Sequence, residues 1–308
     1  MAAISTANRQ AGPAPAPAPA LAAEATSPPV DHHADFNVAD MALYGLQRAR
    51  ERLAALESKP RWEAADTASF DCMHYLGDAA LHAAAASLGL RPGARVVDVG
   101  AGFGATGRFL SRHYDADVTG VELQPEIHAL ADIITARNGL SARVRSVNAD
   151  FTALAAAAAP SPSPVPGGGG GPVDHVVSFL CVLHIPDRAA VFGGAASMLR
   201  RGGTVYLEDF FARRELDEST SRQLRDVVSC PYLPSRERYV QDLEDAGFGD
   251  VVFEDMTTTW SDFVHGRAVE YRRSAAPEPL LAKFYDTIDE LFHGGRLGGA
   301  RIMATKLE

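Results

Sequence analysis

A doubly wound α/β fold around a mostly parallel, seven-stranded sheet is predicted for this 308-residue chain by three observations. The run Arg95-Val-Val-Asp-Val-Gly-Ala-Gly-Phe-Gly-Ala-Thr-Gly107 reads as a buried strand that breaks into a glycine-rich turn. Short apolar runs then alternate with helix-length segments, the pattern of parallel strands joined by crossover helices. With 46% hydrophobic residues, the chain has the apolar content to bury a full core.

The elements follow in order. Residues 1–35 contain an Ala-Pro repeat and no aromatic residue, so they cannot bury enough surface to offset ordering entropy. A disordered tail is expected there, followed by one folded domain over 36–308. Leu43, Leu46, Ala49, Leu53 and Leu56 recur at helical spacing and predict a helix over 39–58. A second N-terminal helix is expected over 78–88, stopped by Gly89 and Pro92, and it leads into the first strand. Strand two covers 118–122, and a helix over 125–138 opens at Pro125 and closes at Gly139. Strand three is read over 144–151. The low-complexity run 153–172, with five consecutive glycines, is read as an inert loop, because an exposed loop lengthens at small entropic cost. Strands four and five are expected over 173–184 and 198–209. Helices follow over 214–228 and 236–246, and strands over 250–254 and 300–306. The helical excursion at 260–295 exceeds what a connection needs, and 256–298 is read as a helical lid.

The glycine turn points to an adenosine-type ligand. Gly100, Gly102 and Gly104 let the backbone approach a ligand at positive φ, and the helix that follows presents free N–H groups. Gly102-Phe-Gly-Ala-Thr-Gly107 also satisfies the dinucleotide pattern GxGxxG. Asp98 separates the two readings. Two residues before Gly100, a carboxylate repels a pyrophosphate but attracts a cationic ligand or positions one through water, which favours S-adenosylmethionine over NAD. The plainer reading of Asp98 is a strand-end turn residue. Glu122 ends strand two about twenty residues past the glycines, where an acid accepts both ribose hydroxyls. Asp150 either accepts from an adenine amino group or caps a helix.

Composition sets bounds. A net charge of −10 argues against a protein that grips nucleic acid through a basic surface. Cys72, Cys181 and Cys230 are odd in number and far apart, without zinc spacing, so neither a disulfide framework nor a structural metal is expected. No stretch of apolar residues is long enough to span a membrane. A soluble, cytoplasmic protein is expected, monomer or homodimer being left open. The tail also admits an organelle-targeting reading, being acid-poor with Ser and Thr, although Arg9 is its only basic residue.

The acid-Gly-x-Gly-x-Gly turn at Asp98 to Gly104, Glu122, Asp150 and the Leu-Arg-Arg-Gly-Gly turn at 199–203 occur in the order of the class I S-adenosylmethionine-dependent methyltransferases, which the chain resembles over about 76–307. The resemblance implies a Rossmann-like methyltransferase fold whose last two strands pair antiparallel. It also implies a cofactor set of Tyr75, Asp98, Gly100, Gly102, Gly104, Glu122, Leu123, Asp150 and Phe151. Leu183-His-Ile-Pro-Asp187 and the stretch 232–260 are similar to phosphoethanolamine and sarcosine/dimethylglycine N-methyltransferases. By that likeness His184 assists catalysis, and Tyr75 and Tyr232 lie near the acceptor. The tyrosine that partners the histidine there has no counterpart within 61–72, which offers Trp62 and Phe70.

Methyl transfer needs an acceptor lone pair in line with the sulfonium methyl, in a dry site. For an amine acceptor, His184 at the carboxyl end of strand four is the best placed imidazole to take the proton; the plainer reading is a backbone contact at a strand end. His175 lies inside the strand and the other histidines lie in tails or helices. Among the aromatic residues at expected site edges, Tyr75, Phe103, Phe210, Tyr232 and Trp260, cation–π contact with sulfonium or ammonium is available. Asp209, with Glu208, ends strand five where it can bind a cationic amine, and Arg236 and Arg238 are candidates for a phosphate or carboxylate. The function expected is methylation of a small molecule, foremost an amine. Oxygen, carbon or sulfur acceptors are the alternatives, because the cofactor half is shared. A nicotinamide oxidoreductase is disfavoured by Asp98.

Overall fold

The computed structural model describes residues 45–157, 171–275 and 277–308. Seven strands form one sheet in the order β3-β2-β1-β4-β5-β7-β6: β1 Arg95–Val99, β2 Asp117–Glu122, β3 Val144–Asn148, β4 Val173–Phe179, β5 Leu199–Ala212, β6 Phe248–Asp255 and β7 Leu297–Lys306. β1 to β5 pair in parallel, while β7 runs antiparallel to both β5 and β6. The chain winds outward from β1 through β2 to β3 and then returns to β4 beside β1. The crevice at the carboxyl ends of β1 and β4 is thus the switch point of the sheet, where open α/β folds hold their ligands.

Inner strands are buried on both faces, which is why they read as continuous Val-rich runs. In β1, Val96 packs with Leu81 of helix α3 (Asp78–Leu88) and Phe109 of α4 (Ala105–Tyr114), whereas its neighbour Val97 belongs to the opposite core with Phe192 and Met198 of α7 (Arg188–Met198). Local chemistry sets the helix ends. Pro125 opens α5 (Pro125–Arg137), and the Asp187 side chain caps α7 by accepting from the Ala190 amide at 2.9 Å. Asp217 caps α8 (Glu218–Val228), and Ser235 caps α9 (Arg236–Asp245).

Several boundaries differ from the sequence reading. Strand three stops at Asn148, because Asp150 accepts from the Thr152 amide at 2.8 Å and starts helix α6 (Phe151–Ala157). Residues 153–157, expected in the low-complexity loop, are therefore helical, as an alanine-rich stretch behind a cap favours. The rest of that loop up to 170 lies outside the described residues, as do the expected tail and 39–44 of the first helix, which appears as α1 (Leu46–Ala55). Strand four ends at Phe179. Leu180 takes φ 52°, and the chain turns into a 3-10 turn, Val182–His184. An unforeseen helix α2 (Ala64–Asp71) lacks apolar periodicity and starts with a capping box between Glu63 and Asp66. The excursion after β6 is two helices, α10 (Thr257–Arg272) and α11 (Pro279–His293), broken where Pro277 and Pro279 cannot continue a helix. No helix among the described residues is long and apolar enough to cross a membrane.

Candidate active site

At the carboxyl end of β1 the glycine turn folds onto β2. The amides of Gly100 and Ala101 donate to the Val121 carbonyl at 2.9 and 3.1 Å, and Gly102 donates to Glu122 Oε2 at 2.9 Å. Gly104, at φ 79°, opens α4, a conformation costly for any residue with a Cβ. A Cβ on Gly100 would overlap the Cys181 side chain, so the turn is held against the segment after β4.

A cavity of about 410 Å³ lies over this turn. Its floor is Asp98, Gly100, Ala101, Gly102 and Thr106; one wall is Phe179, Leu180, Leu183 and His184 at the end of β4. The strip 69–75 lies across it, and Phe263, Val264, Arg267 and Tyr271 of α10 with Leu281, Phe284 and Tyr285 of α11 close the far side. The strip is anchored by a buried ion pair, Arg108 Nη2 to Asp71 Oδ2 at 2.8 Å, which ties α2 to α4. Thr67 donates to the same oxygen at 2.6 Å, and Arg108 also donates to the Phe103 carbonyl at 2.6 Å.

Charge is unevenly placed along the cavity. Asp98 is buried, and its Oδ2 meets no hydrogen-bond partner among the described residues. Burial, with the nearby Glu122 carboxylate adding to it, pushes Asp98 up to about 7. Arg48 and Arg52 of α1 and Arg267 of α10 also line the cavity. Arg48 pairs with Glu278 and Arg52 donates to Ser69 Oγ, while Arg267 lies over the Phe263 ring at 5.5 Å and makes no ion pair among the described residues. Arg52 and Arg267, which make no ion pair among the described residues, thus offer the cavity positive charge for an anion, and Asp98 offers a buried carboxylate for a cation.

His184 lines the cavity, and its Nδ1 lies 2.7 Å from the Ser229 carbonyl oxygen. A carbonyl only accepts, so Nδ1 carries the proton, and Nε2 is the basic nitrogen of the neutral ring. Burial pushes this imidazole down to about 4, and the Arg188 charge acts in the same direction. Tyr75 also lines the cavity, its ring packed on Phe263 at 5.2 Å and edge-on to Trp260 at 5.1 Å.

Other expected site residues are not in the lining of this cavity. Asp209 is buried and does not line the cavity: its Oδ2 accepts from Tyr239 Oη at 2.9 Å and faces Arg188 at 3.5 Å, while Oδ1 meets no hydrogen-bond partner among the described residues. Glu208 meets Arg301 at 3.1 Å. Tyr232 is largely exposed; its ring covers the Arg188 guanidinium at 6.0 Å and its carbonyl accepts from that side chain. Trp260 is fully buried behind Tyr75 and supports the wall without lining it; a Cβ on Gly299 of β7 would overlap its ring. Glu122 braces the turn, taking the Gly102 amide and, at 2.8 Å, the Gln124 amide. Asp150 caps α6 and Phe151 fills the main core, while Leu123 gives its carbonyl to Asn148 Nδ2 at 2.9 Å. Phe103 is core, packed edge-on to Phe70. Arg236 lies over Phe253 and Arg238 pairs with Asp242, so neither reaches the cavity.

Sequence reasoning missed His74, Cys72 and the three arginines. His74 is buried in the strip, with Nδ1 3.2 Å from the Tyr75 carbonyl oxygen and Nε2 3.4 Å from Cys72 Sγ. No motif marks these residues, because folding alone brings α1, the strip and α10 together. Thr106 was accessible from the turn, since it follows the first residue of α4.

Comparison with known proteins gives a consistent picture. The family described as "Methyltransferase domain" matches residues 47–252. A sarcosine/dimethylglycine N-methyltransferase of Halorhodospira halochloris is 28% identical over 168 residues, 54% of this chain and 56% of that protein. A phosphoethanolamine N-methyltransferase of Triticum aestivum is 28% identical over 206 residues, 65% of this chain and 37% of that protein. The chain thus spans little more than half the length of the first relative and just over a third of the second. Among solved structures, Haemonchus contortus phosphoethanolamine N-methyltransferase 2, in complex with phosphomonomethylethanolamine and S-adenosylhomocysteine, shares the fold with a TM-score of 0.66 at 19% identity, covering 78% of this chain and 55% of that one.

Proposed function

This chain belongs to the methyltransferase domain family, as a methyltransferase that takes S-adenosylmethionine as its donor, and from that premise we propose that it methylates the nitrogen of a small amine bearing an anionic group. The observation that carries the reading is the mixed charge of the cavity lining, with Asp98 at the turn and the arginines Arg52 of α1 and Arg267 of α10. Sarcosine, dimethylglycine and phosphoethanolamine, the acceptors in the relatives' names, are all amines with a carboxylate or phosphate.

Asp98, Gly100 and Gly102, which line the cavity at the turn, would hold S-adenosylmethionine, the Asp98 carboxylate being the group suited to its positive charge. Glu122 retains acceptor lone pairs beyond those its two amide donors use, and offers them to the ribose. When bound, S-adenosylmethionine would supply the methyl group, and an amine held with its lone pair toward that methyl would give up one proton to solvent for the methyl it gains. Tyr75 and the apolar wall of α10 and α11 keep the path dry and hold the reacting atoms in register. An imidazole held near 4 is a weak base for an ammonium. The burial that depresses His184 also favours the neutral form of an amine placed beside it. His184 then accepts a hydrogen bond from the amine and aims its lone pair. The helices α10 and α11 act as a lid.

Arg267→Ala tests the acceptor end. Removing a charge-assisted hydrogen bond at a partly exposed site is expected to raise KM for an anionic amine roughly 10-fold, with kcat and cofactor affinity little changed. Steady-state kinetics with phosphoethanolamine and with sarcosine measure this. An unchanged KM for both removes Arg267 from the acceptor site.

A further inference from the structure

Away from the cavity, α10 and α11 bring together side chains that the proposed methyl transfer does not use. His265 projects from α10, and Asp289 and His293 stand one turn apart on α11, with one donor atom of each within 4.8 Å of the others. His265 Nδ1 is 3.2 Å from both carboxylate oxygens of Asp289, and His293 Nδ1 is 2.9 Å from Oδ1. The two imidazole rings are 5.1 Å apart.

We propose that His265, Asp289 and His293 bind one divalent transition-metal ion of the zinc type. Two imidazoles and one carboxylate are a recurrent three-ligand set, with the fourth position left to water. Imidazole donors select zinc, nickel or cobalt over magnesium and calcium, which need all-oxygen shells. Burial fits the role: the Asp289 side chain is 10% exposed, while His265 and His293 are 53% and 56% exposed, so an ion is held from below and reached from solvent. The surrounding contacts fit as well. Arg272 lies 3.5 Å from Asp289 Oδ2 and is neutralised by Asp286 at 2.7 Å, which orients the carboxylate without leaving a bare positive charge beside the ion.

Arg272 already gives Asp289 a cationic neighbour, so an ion-pair role for Asp289 would require neither histidine. Here two converge on one carboxylate from separate helices, and a shared cation resolves their competition for it. Because the other faces of α10 and α11 wall the cavity, an ion at this site pins the lid helices to each other. That consequence rests on the proposed reading of the cavity, whereas the metal site itself does not.

The test is titration of the full chain, without a histidine tag, with Co²⁺ followed by visible absorption, and then displacement by Zn²⁺. One equivalent of Co²⁺ with a ligand-field band, displaced by Zn²⁺, is expected. His265→Gln and His293→Gln retain a polar side chain yet remove the ligand nitrogen, and each should weaken binding by about 10-fold or more. His82→Ala, an exposed histidine on α3, should leave binding unchanged. Absence of a one-equivalent Co²⁺ site in the wild-type chain overturns the proposal, as does a band that survives in the doubly substituted His265→Gln/His293→Gln protein. These outcomes do not depend on methyl transfer.

Discussion

Asp98→Asn is expected to weaken S-adenosylmethionine binding by about 2–3 kcal/mol, roughly 30- to 150-fold, because a buried charge-assisted contact becomes a neutral one. S-adenosylhomocysteine, which carries the same α-ammonium, should weaken with it. The variant should fold at least as well as the wild type, since it replaces a buried carboxyl whose Oδ2 has no partner among the described residues. The pH dependence sharpens the expectation. With its ordinary value raised to about 7 by burial, Asp98 is largely protonated below that pH and must release its proton to face a cation. Wild-type affinity should therefore fall as pH drops below 7, by at most about tenfold per unit, and level off above it. Titration calorimetry from pH 5.5 to 8.5 in buffers of differing ionisation enthalpy reads both affinity and proton release. A variant that binds as tightly as the wild type, or a wild-type profile with no change across pH 7, would remove Asp98 from the cofactor site.

The second large effect is expected at His184. His184→Ala should lower kcat about 100-fold through loss of the group that aims the amine lone pair, while cofactor affinity stays within about twofold. His184→Gln, which keeps a hydrogen-bond acceptor, should recover part of that loss. Because the imidazole is pushed down to about 4, the rate profile should show no inflection near 6.5 belonging to this residue. An acid limb near 7 should instead vanish in Asp98→Asn. Should His184→Gln and His184→Ala be equally slow, with a limb near 6.5 lost in both, His184 would be a proton-accepting base and the neutral-amine reading would fall.

Local signals made the glycine turn after β1 legible. The turn after β1 needs glycine at positive φ and Asp98 at the strand end, and both follow from a dozen consecutive residues. Helix α3 was equally plain, because Gly89 takes the left-handed conformation at its end. The acceptor end was not readable, because it is assembled from distant pieces, as the pairing of Arg48 with Glu278 illustrates. Asp209 shows a different limit. On an inner strand both faces are buried, so alternation does not tell which side an acid takes, and the partners Arg188 and Tyr239 come from separate helices. Tyr232 is read near the acceptor by likeness to the N-methyltransferases and Trp260 by aromatic character, and neither signal indicates which surface a side chain faces. Helix α2 escaped notice because its position depends on the Asp71–Arg108 pair and on a capping box, neither of which leaves an apolar period.

The most direct measurement is transfer of labelled methyl from S-adenosylmethionine to matched acceptors, phosphoethanolamine, glycine and sarcosine against ethanolamine, with the product identified by mass spectrometry. Label on nitrogen of one or more of the anionic amines, with little on ethanolamine, is the predicted result. Equal transfer to ethanolamine would contradict the role of the cavity arginines, and label on oxygen or carbon alone, or on none of these amines, would contradict amine methylation itself.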